Sequence, residues 1–203
     1  MTQAAIVYRH NQQPRRGLAL AGAIFFVKAI LLLPHLLILS PLADLAWIVG
    51  YVGFWIVGFT GELPRPLQSM ISMWLRWSIR TAGWLAGITD AYPPFDYDPP
   101  QYPVDARTPV NEKPSAGWAV AGIFVFPKAI CAVPHLFLLW FVTIAAIVVT
   151  WVGYLVTLFT GRFPTGMQDF IAGTMQWWAR VLSWFLGLTD EYPPFGVKIS
   201  PAA

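Results

Sequence analysis

Charge is what this sequence has least of. Asp, Glu, Lys and Arg make up 11% of its 203 residues, where soluble globular domains carry about 25%. With 57% hydrophobic residues, water is the wrong solvent for most of the chain. Cysteine is nearly absent, and the lone Cys131 excludes an internal disulfide. Its three histidines and single cysteine form no cluster with metal-ligand spacing. Paired carboxylates, an activated nucleophile and a phosphate-cradling glycine loop are also missing from the apolar segments. The expectation is therefore a protein that is not an enzyme and carries no cofactor or metal. Its net charge of +3 is spread along the chain rather than gathered in one basic domain, so no nucleic acid is expected as partner. The polar start through Arg16 leads into an apolar run without a small-residue cleavage site, so no removable signal peptide is expected.

What is abundant points to a membrane. The eleven Trp suit the zone between acyl chains and headgroups. An offset of 100 residues superposes the sequence on itself without a gap from Gly17/Gly117 to Phe95/Phe195, so the chain is an internal duplication. Identical pairs include Gly22/Gly122, Lys28/Lys128, Pro34/Pro134, His35/His135, Gly61/Gly161, Gln68/Gln168, Trp77/Trp177, Arg80/Arg180 and Trp84/Trp184. Each copy closes on one phrase, Thr89-Asp90-Ala91-Tyr92-Pro93-Pro94-Phe95 and Thr189-Asp190-Glu191-Tyr192-Pro193-Pro194-Phe195. An apolar Pro-His segment, a Thr-Gly-x-x-Pro turn, a Trp/Arg helix and this phrase together resemble the bacterial domain of unknown function 4389 family, over about 80 residues in each copy. The resemblance implies a membrane domain and no assigned activity.

The organisation expected is a tail at 1–16, a repeat at 17–95, a Pro-rich, extended and solvated linker at 96–116, a second repeat at 117–195 and a tail at 196–203. The fold class expected is all-α and integral to the membrane: two tandem parallel repeats, each a transmembrane helical hairpin plus an amphipathic interfacial helix. Each apolar run of 44 residues would make about 66 Å of helix, roughly twice a ~30 Å hydrocarbon core. A tight hairpin near Ser40–Asp44 resolves this with spans at about 18–39, 44–60, 118–139 and 143–160, four in total. A break at Pro34 and Pro134, with one long tilted span after each, is the other solution. Eleven of the thirteen Lys and Arg fall in segments that the hairpin version puts on one side. That predicts both termini and the linker in the cytoplasm of a bacterium, with the chain multi-pass in the inner membrane and the repeats related by an axis along its normal. Gln68, Ser72, Arg76 and Arg80 recur every four residues, which predicts an amphipathic helix near 66–88 lying in the interface with its Arg face to water, and its counterpart near 166–188.

Lys28 and His35, with Lys128 and His135, are the ionisable side chains inside the apolar runs, and intramembrane ionisable groups are candidates for ligand or lipid contact. A snorkelling Lys and a His that satisfies a carbonyl freed by the Pro34 kink is the structural alternative. Arg76, Arg80, Trp84, Asp90, Tyr92 and Phe95, with Arg180, Trp184, Asp190, Tyr192 and Phe195, are candidates for an interfacial or partner-docking surface, with Asp90 and Asp190 paired to Arg80 and Arg180. Three functions stay open: a non-catalytic accessory or scaffold that organises envelope proteins or lipids, a carrier or lipid-binding protein in which Lys28 and Lys128 converge on an anionic group, and a b-type haem protein using the two His as axial ligands. The first is the expectation adopted, with membrane lipids and a membrane-protein partner or a second copy as partners.

Overall fold

The computed structural model describes residues 2–99 and 101–199; Pro100 of the expected linker, Met1 and the tail residues 200–203 lie outside the described residues. The element order is β1 (Ala5–Tyr8), α1 (Arg16–Ala23), α2 (Phe25–Leu31), α3 (Leu33–Thr60), α4 (Arg65–Leu85), β2 (Val104–Arg107), α5 (Ala116–Ile123), α6 (Phe126–Thr160) and α7 (Thr165–Phe185). The fold is mostly helical, and two helices, α3 and α6, are long and apolar enough to cross a membrane. Ser40–Asp44 does not form the expected hairpin. It runs inside α3, which tolerates Pro41 and continues to Thr60. The break before Pro34 is present in the first copy, where Leu32 ends α2 and Pro34 falls in the first turn of α3, as its fixed φ favours. In the second copy the break moves to Val125, just before Pro127, and α6 continues through Pro134.

Gly61 and Gly161 end α3 and α6 in the left-handed conformation (φ 76° and 73°), a geometry that glycine adopts without a Cβ clash. Pro64 and Pro164 then open α4 and α7, which fold back along α3 and α6. The polar stripe of α4 is therefore not in water. It is covered by the segment that was expected to be a solvated linker. Gln68 Nε2 donates to the Asn111 carbonyl (3.0 Å), the Thr108 hydroxyl to that of Ser72 (3.0 Å), and Arg76 and Arg80 reach Asp105. The N-terminal segment is likewise no free tail: it crosses to the second copy, where the Ile6 N–H donates to Gln176 Oε1 (3.0 Å) and the Asn11 N–H to Gln168 Oε1 (2.8 Å). Pro99, Pro103, Pro109 and Pro114 favour an extended chain, but Val104 and Ala106 alternate inward and are buried.

The two arms meet as an antiparallel ribbon, Ala5 against Arg107, Ile6 against Ala106 and Val7 against Asp105. Ile6 thus faces its own equivalent in the other repeat, so a pseudo-two-fold axis passes through this pair, perpendicular to the ribbon. The same symmetry interlocks the copies. Tyr154 of α6 lies over Gly22 of α1, and Phe54 of α3 over Gly122 of α5, so closely that a Cβ at either glycine would collide with the ring. Three layers result: the ribbon and arms, then α4 and α7, then α3 and α6 with their outer faces uncovered. Leu37, Ile48 and Phe59 on α3, and Phe137, Ile147 and Phe159 on α6, are exposed there. Because the axis runs through the layers, both apolar faces lie on one side of the molecule and both arms on the other.

Candidate functional site

His35 is fixed by three side chains. Trp77 Nε1 of α4 donates to its Nδ1 (3.0 Å), Phe95 stacks on its ring (centroids 4.0 Å apart, planes 6° apart), and Tyr92 closes the edge at 5.1 Å. The Tyr92 hydroxyl donates to the Leu31 carbonyl (2.7 Å), which is freed where α2 stops. His135 repeats the arrangement with Trp177 (2.9 Å), Phe195 (3.9 Å), Tyr192 (4.9 Å) and the Cys131 carbonyl (2.7 Å). Because Nδ1 accepts in both copies, each ring is neutral with its proton on Nε2. Both rings are fully buried, with Nε2 enclosed as well, so neither offers an open edge to an iron. The b-type haem reading finds no support in this geometry. Among the described residues no group of three or more His, Cys, Asp or Glu is placed to hold a metal ion.

Lys28 and Lys128 are buried but do not share a ligand. Lys28 Nζ donates to the Trp84 carbonyl (2.8 Å) and the Tyr154 hydroxyl (2.8 Å), and lies 4.6 Å from the Trp84 ring centroid. Lys128 Nζ donates to the carbonyls of Trp184 (2.8 Å) and Phe185 (3.3 Å) and lies 4.3 Å from the Phe54 ring. Each ammonium thus caps the last turn of α4 or α7, where unpaired carbonyls and the negative end of the helix dipole collect. The cation faces the interlocking aromatic ring of the other copy. The separate caps replace the expected convergence on one anion.

The docking residues are brought together, with different partners from those expected. Asp90 accepts from Asn11 Nδ2 (3.0 Å) and the Arg15 N–H (2.5 Å), and Asp190 accepts from the Ser115 N–H (2.5 Å). Each carboxylate therefore orients the chain entering α1 or α5 instead of an arginine. Arg80 binds Asp105 (3.3 Å) and the carbonyls of Asp96 and Tyr97 (2.7 Å each), while Arg180 donates to the Ala4 carbonyl (3.3 Å). Burial pulls the Arg80 guanidinium below its usual value against the opposing pull of Asp105, and the hydrogen bond that Arg76 donates to Asp105 holds Arg76 above its own. Trp84 and Trp184 are buried against Tyr92 and Tyr192, 5.3 Å between centroids in both copies. The phrase therefore docks within its own repeat through Tyr and Phe. Contact between copies also runs through Gln3, whose Nε2 donates to the Glu191 carbonyl (2.8 Å). Sequence reasoning missed Asp105, Tyr154 and Phe54. The first lay in a presumed linker, and the rings differ chemically between the copies.

A family model described as Domain of unknown function (DUF4389) matches residues 23–96 and again residues 124–196. No curated protein and no solved structure matches the chain.

Proposed function

The chain belongs to the DUF4389 family, with its domain present twice, and from that premise we propose a non-catalytic membrane accessory protein that is seated in one leaflet and organises lipids and neighbouring proteins there. The observation that carries this reading is one-sidedness. The exposed residues along α3 and α6 are apolar apart from Ser40, Asp44 and Thr60 on α3 and Thr160 on α6, whereas the arms expose Asp98 and Glu112, and α4 and α7 expose Arg65 and Asp169 beside them. Along α4 the polar contacts extend from Gln68 to Arg80, about 18 Å. If α3 stood along the membrane normal, that charged strip beside it would stand in hydrocarbon, where each ionised group costs about 2.5–3.5 kcal/mol at the centre. With α3 and α6 lying in the plane, the arms that cover this strip face water and the apolar layer faces the acyl chains. The in-plane arrangement takes the place of four crossings. The pseudo-two-fold then lies along the membrane normal, and the arms stand on the side to which the Lys/Arg distribution points, the cytoplasm.

Spin labels at Leu37, Ile48 and Phe59 in a Cys131→Ser background test the seating. These positions span about 33 Å along α3. In-plane seating gives similar depths at all three. Depths that progress from one leaflet to the other would refute it.

A further inference from the structure

A cavity of about 610 Å³ lies between the end of α4, the α1–α2 region and the helices α6 and α7. No charged side chain lines it. Most of its polar groups have partners of their own: Trp178 Nε1 donates to the Thr143 hydroxyl (2.9 Å), the Thr174 hydroxyl to the Phe170 carbonyl (2.9 Å), and the Tyr154 hydroxyl to the Leu85 carbonyl. Ile147 and Leu85, both exposed, stand at its mouth, so it opens beside the apolar face of α6.

The other half of the molecule has the equivalent helix packing and the same interlock, yet the corresponding space there is about 100 Å³. The 100-residue offset shows what fills it. Leu182, Phe185 and Leu186 stand for Ala82, Leu85 and Ala86, and Trp47 and Trp74 for Ile147 and Thr174. Trp47 packs edge-on against Phe185, with centroids 5.5 Å apart. Thr143, Thr150 and Trp178 are larger than their counterparts Ala43, Gly50 and Ser78, but do not close the space. The fold itself therefore does not require the cavity, since one copy closes it and the other keeps it open. Protein interiors rarely leave such a volume unfilled, because lost contacts destabilise. The volume falls in the range of ligand sites.

We infer that this cavity binds one hydrocarbon chain of a membrane lipid. The headgroup stays outside, because nothing within is placed to hold a charge or a phosphate. The inference rests on the seating proposed above, which brings the mouth of the cavity to the acyl region. The cavity then gives the platform a specific lipid contact in addition to a general affinity for the bilayer.

The test is photo-crosslinking in vesicles of phosphatidylcholine and phosphatidylglycerol that carry a diazirine in one acyl chain, with labelled residues mapped by mass spectrometry. Labelling is expected at exposed Phe137 and also at Ile171 and Met175, which are buried and reached only through the cavity. The triple variant Ala82→Leu, Ala86→Leu, Ile147→Trp installs the side chains of the closed half. It should lose labelling at Ile171 and Met175 while keeping it at Phe137 and keeping the parent's helical circular dichroism. The converse variant Leu182→Ala, Trp47→Ile should gain labelling at Ile71 and Leu75. Labelling of Phe137 without Ile171 or Met175 overturns the inference and leaves the seating intact. Unchanged labelling of Ile171 and Met175 in the triple variant also overturns it. Absence of labelling at every position overturns both.

Discussion

Replacing Lys28 by Met keeps apolar bulk and removes one ammonium, and the structure gives the size of the effect. Two charge-assisted hydrogen bonds are lost, to the Trp84 carbonyl and the Tyr154 hydroxyl, both 2.8 Å. Such bonds contribute about 1.5–3 kcal/mol each, and leaving a buried carbonyl unpaired costs about 1–3 kcal/mol. The cation–π contact with Trp84 adds about 0.5–2 kcal/mol. Against these stands the desolvation of a buried ammonium, several kcal/mol, which the variant no longer carries. The balance is a loss of about 2 kcal/mol, or roughly 4–8 °C in Tm for a chain of this size. The assay is thermal unfolding in mild detergent, run as a double-mutant cycle with Tyr154→Phe. Lys28 and Tyr154 should couple by about 0.5–3 kcal/mol, the range for residues that share a bond. Lys128→Met is the control, because Lys128 binds two carbonyls and faces the phenyl ring of Phe54, so it should add independently to Tyr154→Phe. A Lys28→Met protein that melts no lower than its parent would refute the capping argument, as would a cycle without coupling.

Truncating the phrase at Phe95→Ala should cost about 0.5–1.5 kcal/mol, because the half-exposed ring stacks on the buried His35, and a melting transition shifted down by a few degrees, still cooperative, is the readout. Asp44→Ile should strengthen vesicle binding in a flotation assay, since the exposed carboxylate stands on α3 where α6 carries Ile144. The Asp169 carboxyl is held below its ordinary 3.8 first by the Tyr8 hydroxyl and then by His10. A depressed carboxylate pKa stabilises above the unfolded value and loses that contribution as pH falls through the folded one. Protection factors of the β1 amides, with the intrinsic pH dependence of exchange divided out, should therefore hold above about pH 4 and fall below it in the parent, with a flatter profile in Asp169→Asn.

The duplication, the helix ends at Gly61 and Gly161 and the four-residue polar stripe of α4 were legible because each depends on local sequence or on comparison of the chain with itself. What covers the stripe was not. Gln68, Ser72, Arg76 and Arg80 read equally well as a face turned to water or to a polar strand, and the partner lies 25 to 43 residues away in a proline-rich stretch. Composition made that stretch a linker, while its inward alternation at Val104 and Ala106 covers only four residues. The hairpin at Ser40–Asp44 failed for a related reason. Its turn-forming residues are local preferences, and packing of α3 along the whole of α4 overrides them. The buried lysines were recognised as unusual, but their partners are carbonyls, which sequence does not display, and for Lys28 also the Tyr154 hydroxyl of the other copy. A cap and an anion site therefore read alike.

The residues that are identical between the copies build what both need: Trp77 and Trp177 hold the His rings, Lys28 and Lys128 close the helix ends, and Gly22 and Gly122 admit the interlocking rings. These contacts preserve the two-fold platform, and a dimer of single-copy chains could make all of them. Such a dimer could not differ between its halves. Joining the copies in one chain permits Ala82 beside Leu182 and Ile147 opposite Trp47, and it is at these positions that one half opens and the other closes. The shared residues therefore account for the stability and orientation of the platform. The divergent ones make the halves unequal, and it is there that the proposed acyl-chain site would sit, once per molecule and on one side of the axis.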